Sequence, residues 1–445
     1  MKRYTIEATD DNVLESIKKN TLNRNPDVRE FVEFLETIEG NMFIGIDGKW
    51  GTGKSFYVRE IEKTLEYLIK KKWKEEEAKE LEKYFDGTIL KEIDLDKSYL
   101  PIYYNAWLYD NHNDPLLSLM FSIVKQSQKY IDCKIDDKSI GDKILSILSS
   151  ISLNIKNIPI SFDLEKIKET FSGEDILRDI LTAEEVREKV KQILSELIIE
   201  EAQRLVIFVD ELDRCRPDFA IEMLERIKHY FDDDRILFVI SVNKEELTYT
   251  ISKCYGNGFN SSDYLNRFFD FTMELPQVNT ENYFQSLGIS CAGSEWIKKI
   301  AYDLQKFYNL SIRNTAKLFY RVNAVYEKSE GYIYGTEVTI LIYIIVPIIY
   351  AMDLINVQEK NKLLNGEGKN LLKEVIPNLV NCRKLISELA DRSETTEEEL
   401  FNVGLQEFID MYEFTFKEGD PYEWYRRGDI RRNLKKTCIQ LLNLN

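Results

Sequence analysis

Histidine and cysteine are few in this chain of 445 residues and a net positive charge is lacking, and each shortage removes a class of function. The two histidines, His112 and His229, have no second ligand at metal spacing. The six cysteines (Cys133, Cys215, Cys254, Cys291, Cys382 and Cys438) form no CxxC pair and no His/Cys ligand pattern. That argues against a zinc site and a disulfide framework, and it fits a reducing, cytoplasmic setting. With a formal net charge of −17, the whole molecule does not steer toward nucleic acid or an anionic membrane. The first residues turn acidic and lack the apolar stretch of a signal peptide. Long apolar runs are missing too. Val338 to Met352 carries no charge, but as a helix it spans only about 22 Å against a hydrocarbon core of roughly 30 Å. Pro347 interrupts it, so it reads as a buried helix, with a membrane or partner-facing segment as the alternative.

What is present is an alternation of buried strands and helices. Val28, Phe31, Val32, Phe34 and Leu35 recur at helical spacing after Asn25-Pro26-Asp27, a helix start. Asn41 to Asp47 is a short apolar run suited to a buried strand, and Tyr57, Ile61, Leu65 and Leu68 share one face of a helix after Lys54. Lys70 to Glu77 extends that helical region as a solvated charged face. Pro101 to Trp107 predicts a second strand, followed by a helix from Asp114. Residues 131–180 read as an insert, Ala183 to Arg204 as a helix and Leu205 to Val209 as a strand. Pro217 to Phe231 reads as a helix and Ile236 to Val242 as a strand, with a helix from Lys244 and mostly helical patterns from residue 277. This predicts an α/β core with a mostly parallel sheet over residues 1–276, a helical lid over 277–330 and a helical C-terminal region over 331–445.

The chemistry concentrates at the end of the first strand. Gly48-Lys49-Trp50-Gly51-Thr52-Gly53-Lys54-Ser55 matches GxxxxGK[ST], a P-loop. Its glycines let backbone N–H groups curl around phosphates, its lysine reaches the β- and γ-phosphates, and its hydroxyl ligates magnesium. The loop follows a strand and opens a helix, whose N-terminal dipole favours anions. Gly48, Trp50, Gly51, Thr52, Gly53, Lys54, Ser55 and Phe56 are therefore the candidate nucleotide-binding residues. The strand ending Val209-Asp210-Glu211 supplies the acidic partner: Asp210 to hold magnesium with Ser55, and Glu211 to take a proton from the attacking water. Ser241-Val242-Asn243-Lys244-Glu245-Glu246 approaches the guanine-reading Asn-Lys-x-Asp but ends in Glu246, so ATP is favoured over GTP. Asn243 then reads as a polar sensor near the γ-phosphate, or as the N-cap of the Lys244 helix.

These residues resemble the KAP family of P-loop NTPases. The resemblance rests on Trp50-Gly51 within the P-loop, on Tyr104-Asn105-Ala106-Trp107, on Val209-Asp210-Glu211-Leu212-Asp213-Arg214-Cys215, and on Tyr264 to Asp270 with Leu275-Pro276 beyond. It covers about residues 10 to 330 and implies an ATP-hydrolysing core of the ASCE division, a three-layer α/β/α fold related to AAA+ and STAND ATPases. Phage exclusion or defence is implied by the resemblance alone. The transmembrane insert of some family members is not matched, because Ile144 to Ile160 is interrupted by Ser, Asn and Lys156. The resemblance places Arg267 as a finger toward a neighbouring subunit's γ-phosphate, with an ion pair to Asp263 or Asp270 as the alternative, and Arg313 as a sensor arginine opening a lid helix. It gives Asn105 a part in placing water or phosphate. Trp107 reads as packing, and Asp213 with Arg214 as an internal ion pair or subunit contact. The expected assembly is a homo-oligomer or a complex with a partner effector. The basic segment Arg426 to Lys436 leaves an ATP-dependent nucleic-acid processor open, and a nucleotide-gated scaffold without hydrolysis is the other alternative.

Overall fold

The computed structural model describes residues 7–74, 76–111, 114–131, 187–188, 190–191, 194, 203–256, 258–278, 283, 296–329, 336–389 and 396–417. The insert beyond Ile131, most of the helix expected from Ala183, His112 and the basic segment 426–436 lie outside the described residues. The chain divides into two compact units, one spanning Glu7–Asn279 and the other containing Thr280–Asn445.

Among the described residues the first unit is built on five parallel strands: β1 (Met42–Asp47), β2 (Tyr99–Asn105), β3 (Arg204–Asp210), β4 (Ile236–Val242) and β5 (Phe271–Glu274). They lie side by side in the order β2-β3-β4-β1-β5. The sequence dictates the centre. β3 and β4 are apolar at nearly every position and buried at every one, as a strand covered on both faces must be. Alternate residues serve opposite layers. Leu205, Ile207 and Val209 join one core cluster, while Val206 and Phe208 join the other. Pro101 lies in β2, an edge strand, where the missing N–H is tolerated.

One face of the sheet is covered by α1 (Asp10–Lys19), α2 (Asn25–Glu36), α3 (Lys54–Lys72) and α4 (Glu76–Phe85). The other is covered by α5 (Pro115–Ile131), α6 (Pro217–Tyr230), α7 (Lys244–Tyr255) and the short α8 (Ser261–Asn266). The arrangement is a three-layer α/β/α sandwich.

The charged run Lys70 to Glu77 is not one extended helix. α3 stops at Lys72, Trp73 turns against the core to meet Tyr130 edge-on, and Lys74 takes a left-handed φ of 57°. Nor is Lys70 fully solvated, since it bridges Glu66 and Glu77 at 3.0 and 2.6 Å. The strand expected to reach Trp107 ends at Asn105, and Ala106–Tyr109 winds into a 3-10 turn at the mouth of the sheet. Arg204, expected at the end of a helix, opens β3 instead, because its guanidinium is needed inside to bind the Ile38 and Asp234 carbonyls at 2.6 and 2.8 Å.

The second unit is helical. Its described helices are α9 (Trp296–Phe307), α10 (Ile312–Ser329), α11 (Thr336–Ile355), α12 (Val357–Leu364), α13 (Lys369–Val375), α14 (Val380–Ser387) and α15 (Glu397–Phe416). α11 contains the apolar run and continues through Pro347, and Ile340 to Met352 is almost wholly buried among neighbouring helices. Among the described residues, no helix is long and apolar enough to cross a membrane.

Candidate functional site

The phosphate loop lies at the carboxyl end of β1, where the strand order turns, the position at which open α/β sheets bind ligands. Gly48 continues the sheet by donating its N–H to the Val242 carbonyl at 3.1 Å. Gly51 and Gly53 then take φ of 80° and 88°, a conformation that residues with a Cβ avoid. Gly53 is the left-handed cap that starts α3. Thr52 ties the loop to itself through its hydroxyl, which donates to the Lys49 carbonyl at 2.6 Å. Lys54 curls back so that its Nζ donates to the Gly48 carbonyl at 2.5 Å. Ser55 follows in the first turn of α3, and Phe56 packs against the core on that side of the sheet.

Asp210 ends β3 and is buried. Its two oxygens accept from the Tyr103 hydroxyl and from the Glu211 backbone N–H, both at 2.9 Å. Tyr103 was not among the residues anticipated from the sequence. It lies two positions before Asn105 on the same face of β2, which is the signal that could have found it. Burial first, and Asp210 second, push its hydroxyl far above the ordinary tyrosine range, so it remains a donor. Arg59 lies over its ring at 4.4 Å.

Glu211 adopts a left-handed φ of 60°, an uncommon conformation for this residue type and one found at functional turns. Its carboxylate meets Arg214 Nη1 at 2.8 Å and Asn105 Nδ2 at 3.4 Å. Burial raises its pKa, Arg214 opposes the shift, and Asp210 adds to it. A carboxylate tuned upward in this way is suited to accepting a proton. The amide oxygen of Asn105, Oδ1, is buried with no hydrogen-bond partner among the described residues.

Asp213 brings the two motifs together. Its side chain is 2% exposed. One carboxylate oxygen receives Trp50 Nε1 at 2.7 Å, the Asn243 backbone N–H at 3.0 Å and Lys54 Nζ at 3.4 Å. The expectation of an ion pair between Asp213 and Arg214 is therefore corrected. The short turn after β3 aims Asp213 at the phosphate loop, and Arg214 turns back to Glu211. Trp107 is not packed inside either. It is 50% exposed, with the Arg214 guanidinium 5.6 Å from its ring. Asn243 accepts the Glu246 N–H at 3.4 Å and so caps α7, while its backbone meets Asp213. Asp47 anchors the same junction by accepting the Lys244 N–H at 2.9 Å.

Arg267 is exposed at the end of α8 and forms no ion pair among the described residues. The alternative partners are engaged elsewhere: Asp263 with Asn260, and Asp270 with Lys228 and the Phe43 N–H. Arg313 is exposed in the first turn of α10, in the helical unit.

Oxygen donors suited to a hard divalent cation are at hand in the Asp210 carboxylate and the Ser55 hydroxyl. Among the described residues, no group of three or more His, Cys, Asp and Glu side chains could form an all-protein cage. A magnesium ion shared with substrate phosphates needs none.

The strand order, the glycine-built loop opening α3 and the acidic turn after β3 define a P-loop, nucleotide-binding NTPase core. The chain belongs to the KAP family: the KAP family P-loop domain matches residues 24–327. It is also similar to an uncharacterized protein of Methanocaldococcus jannaschii, 26% identical over 192 residues, a match covering 33% of this chain and 98% of that protein.

Proposed function

We propose that the protein is a magnesium-dependent ATPase that works as a motor or molecular switch, assembled as a homo-oligomer or with a partner effector. The observation that carries this reading is the Asp213 carboxylate, which holds the acidic turn of β3 against Lys54 of the phosphate loop. Binding and chemistry then share one site. Backbone N–H groups of the loop and Lys54 bind the β- and γ-phosphates, and Ser55 and Asp210 would hold magnesium. The ion, when bound, neutralises charge on the phosphate oxygens. A water oxygen forms a bond to the γ-phosphorus as the bond to the bridging β–γ oxygen breaks, and Glu211 takes the water's proton. Arg267, exposed and unpaired with any carboxylate among the described residues, fits a finger that stabilises the transition state across a subunit interface.

Glu211→Gln is expected to retain ATP and stop turnover, whereas Lys54→Ala loses both. Undiminished phosphate release by Glu211→Gln would remove Glu211 as the base. Negligible release by the wild-type chain, alone and with partners, would leave the scaffold reading. The base preference for ATP is supported by the absence of Asn-Lys-x-Asp and by the engagement of Asn243 in capping α7. Competition of GTP against bound ATP tests it. A role in phage defence rests on the family resemblance. Equal protection by wild type and Lys54→Ala in a phage challenge would count against an ATP-driven role.

A further inference from the structure

Arg24 lies immediately before α2 and far in sequence from both nucleotide motifs, yet only 1% of it is exposed. Its guanidinium is spent on three main-chain carbonyls. Nη1 donates to the Gly53 oxygen at 3.0 Å, and Nη2 donates to the Thr52 oxygen at 3.1 Å and the Pro276 oxygen at 2.7 Å. Two of these carbonyls belong to the phosphate loop. In a trans peptide the C=O and N–H of one plane point in opposite directions. Holding the Thr52 and Gly53 carbonyls from behind therefore turns the N–H groups of Gly53 and Lys54 the other way, toward the concave side where a phosphate would rest.

The charge matters as well. Among the described residues no carboxylate hydrogen-bonds Arg24, and its Nε is buried with no partner at all. The nearby anions are Glu60 of α3, buried and hydrogen-bonded by the Ser16 hydroxyl at 2.6 Å, and Asp27 in the first turn of α2, neither of which hydrogen-bonds the guanidinium. Burial raises the Glu60 carboxyl to about 7, which weakens it as a counter-ion near neutral pH. Burial lowers Arg24 to about 10, which still leaves it charged at that pH. The balance is a dehydrated cation directly behind the phosphate-binding peptides.

We propose that Arg24 is a positioning residue of the phosphate site, fixing the two peptide planes at Thr52-Gly53-Lys54 and placing a buried positive charge behind them. This rests on the loop binding phosphate and not on hydrolysis, so it is tested by binding alone. Isothermal titration with ADP and with inorganic pyrophosphate compares the wild type, Arg24→Lys and Val28→Ala. The ammonium of Arg24→Lys keeps the charge but cannot reach three carbonyls in a fixed fork. Val28→Ala removes fully buried packing from the next turn of α2 and lowers the melting temperature without touching the loop. Arg24→Lys is expected to weaken both ligands by the same factor, at least fivefold, and Val28→Ala to leave both within twofold of wild type. Pyrophosphate affinity of Arg24→Lys within twofold of wild type, or an equal loss in Val28→Ala, would overturn the assignment. Failure of the wild-type chain to bind either ligand would overturn the phosphate-loop reading along with it.

Discussion

At the scale of single residues, Asp213 and Glu211 divide the work of one turn. Asp213 is a buried anion whose partners are a lysine, an indole and a backbone amide. Removing one member of such a group strands the others without water. Asp213→Ala is therefore expected to lower stability by about 1–3 kcal/mol in urea unfolding. Glu211 must be ionised to accept a proton, so turnover is expected to rise with pH through its raised pKa. Arg214 holds that pKa down. Arg214→Met should thus move the acid limb of the kcat profile to higher pH, and an unmoved limb would mean that Glu211 is not the group being read.

At the scale of elements, α3 links the loop to the buried layer behind it. The Glu60 carboxyl is raised from its ordinary 4.5 to about 7, so the folded chain binds more protons than the unfolded one between those values. Stability conferred by this group is present below about 4.5 and is lost as pH rises through about 7. Glu60→Gln should flatten that decline when urea unfolding is compared at pH 5 and pH 8. In the helical unit, a Cβ at Gly404 of α15 would collide with the Ile386 carbonyl oxygen of α14. Gly404→Ala should cost about 1–3 kcal/mol in thermal or urea unfolding. The elements differ in how openly the sequence declares them. β3 and β4 are continuous apolar runs, and α7 announces its start with Asn243. β5 is four residues long and partly exposed, so it exists mainly because β1 pairs with it. The loop and the Asp210-Glu211 pair are legible because their chemistry demands a fixed local spacing. Tyr103, the reach of Asp213 to Lys54, and Arg24 are not, because they depend on contacts across 107, 159 and 28 positions of chain.

At the scale of the whole molecule, the exposed Arg267 makes assembly the central question. If it acts across an interface, Arg267→Ala and Glu211→Gln are each inactive alone. Mixing them should restore part of the ATPase rate, because some sites then combine an intact Glu211 with an intact Arg267 from the neighbour. No recovery on mixing, with both variants shown to assemble by light scattering, would place Arg267 outside the reaction. Asp213 also bears on which anions the loop accepts. A bare lysine under a ring of amide groups would collect sulfate, inorganic phosphate or any passing carboxylate. Here the chain supplies its own carboxylate to Lys54. A single-charge anion has to displace that resident, whereas a polyphosphate brings several contacts at once. Asp213→Asn should therefore let sulfate or inorganic phosphate compete better with ADP in a titration, and unchanged competition would deny the aspartate that part.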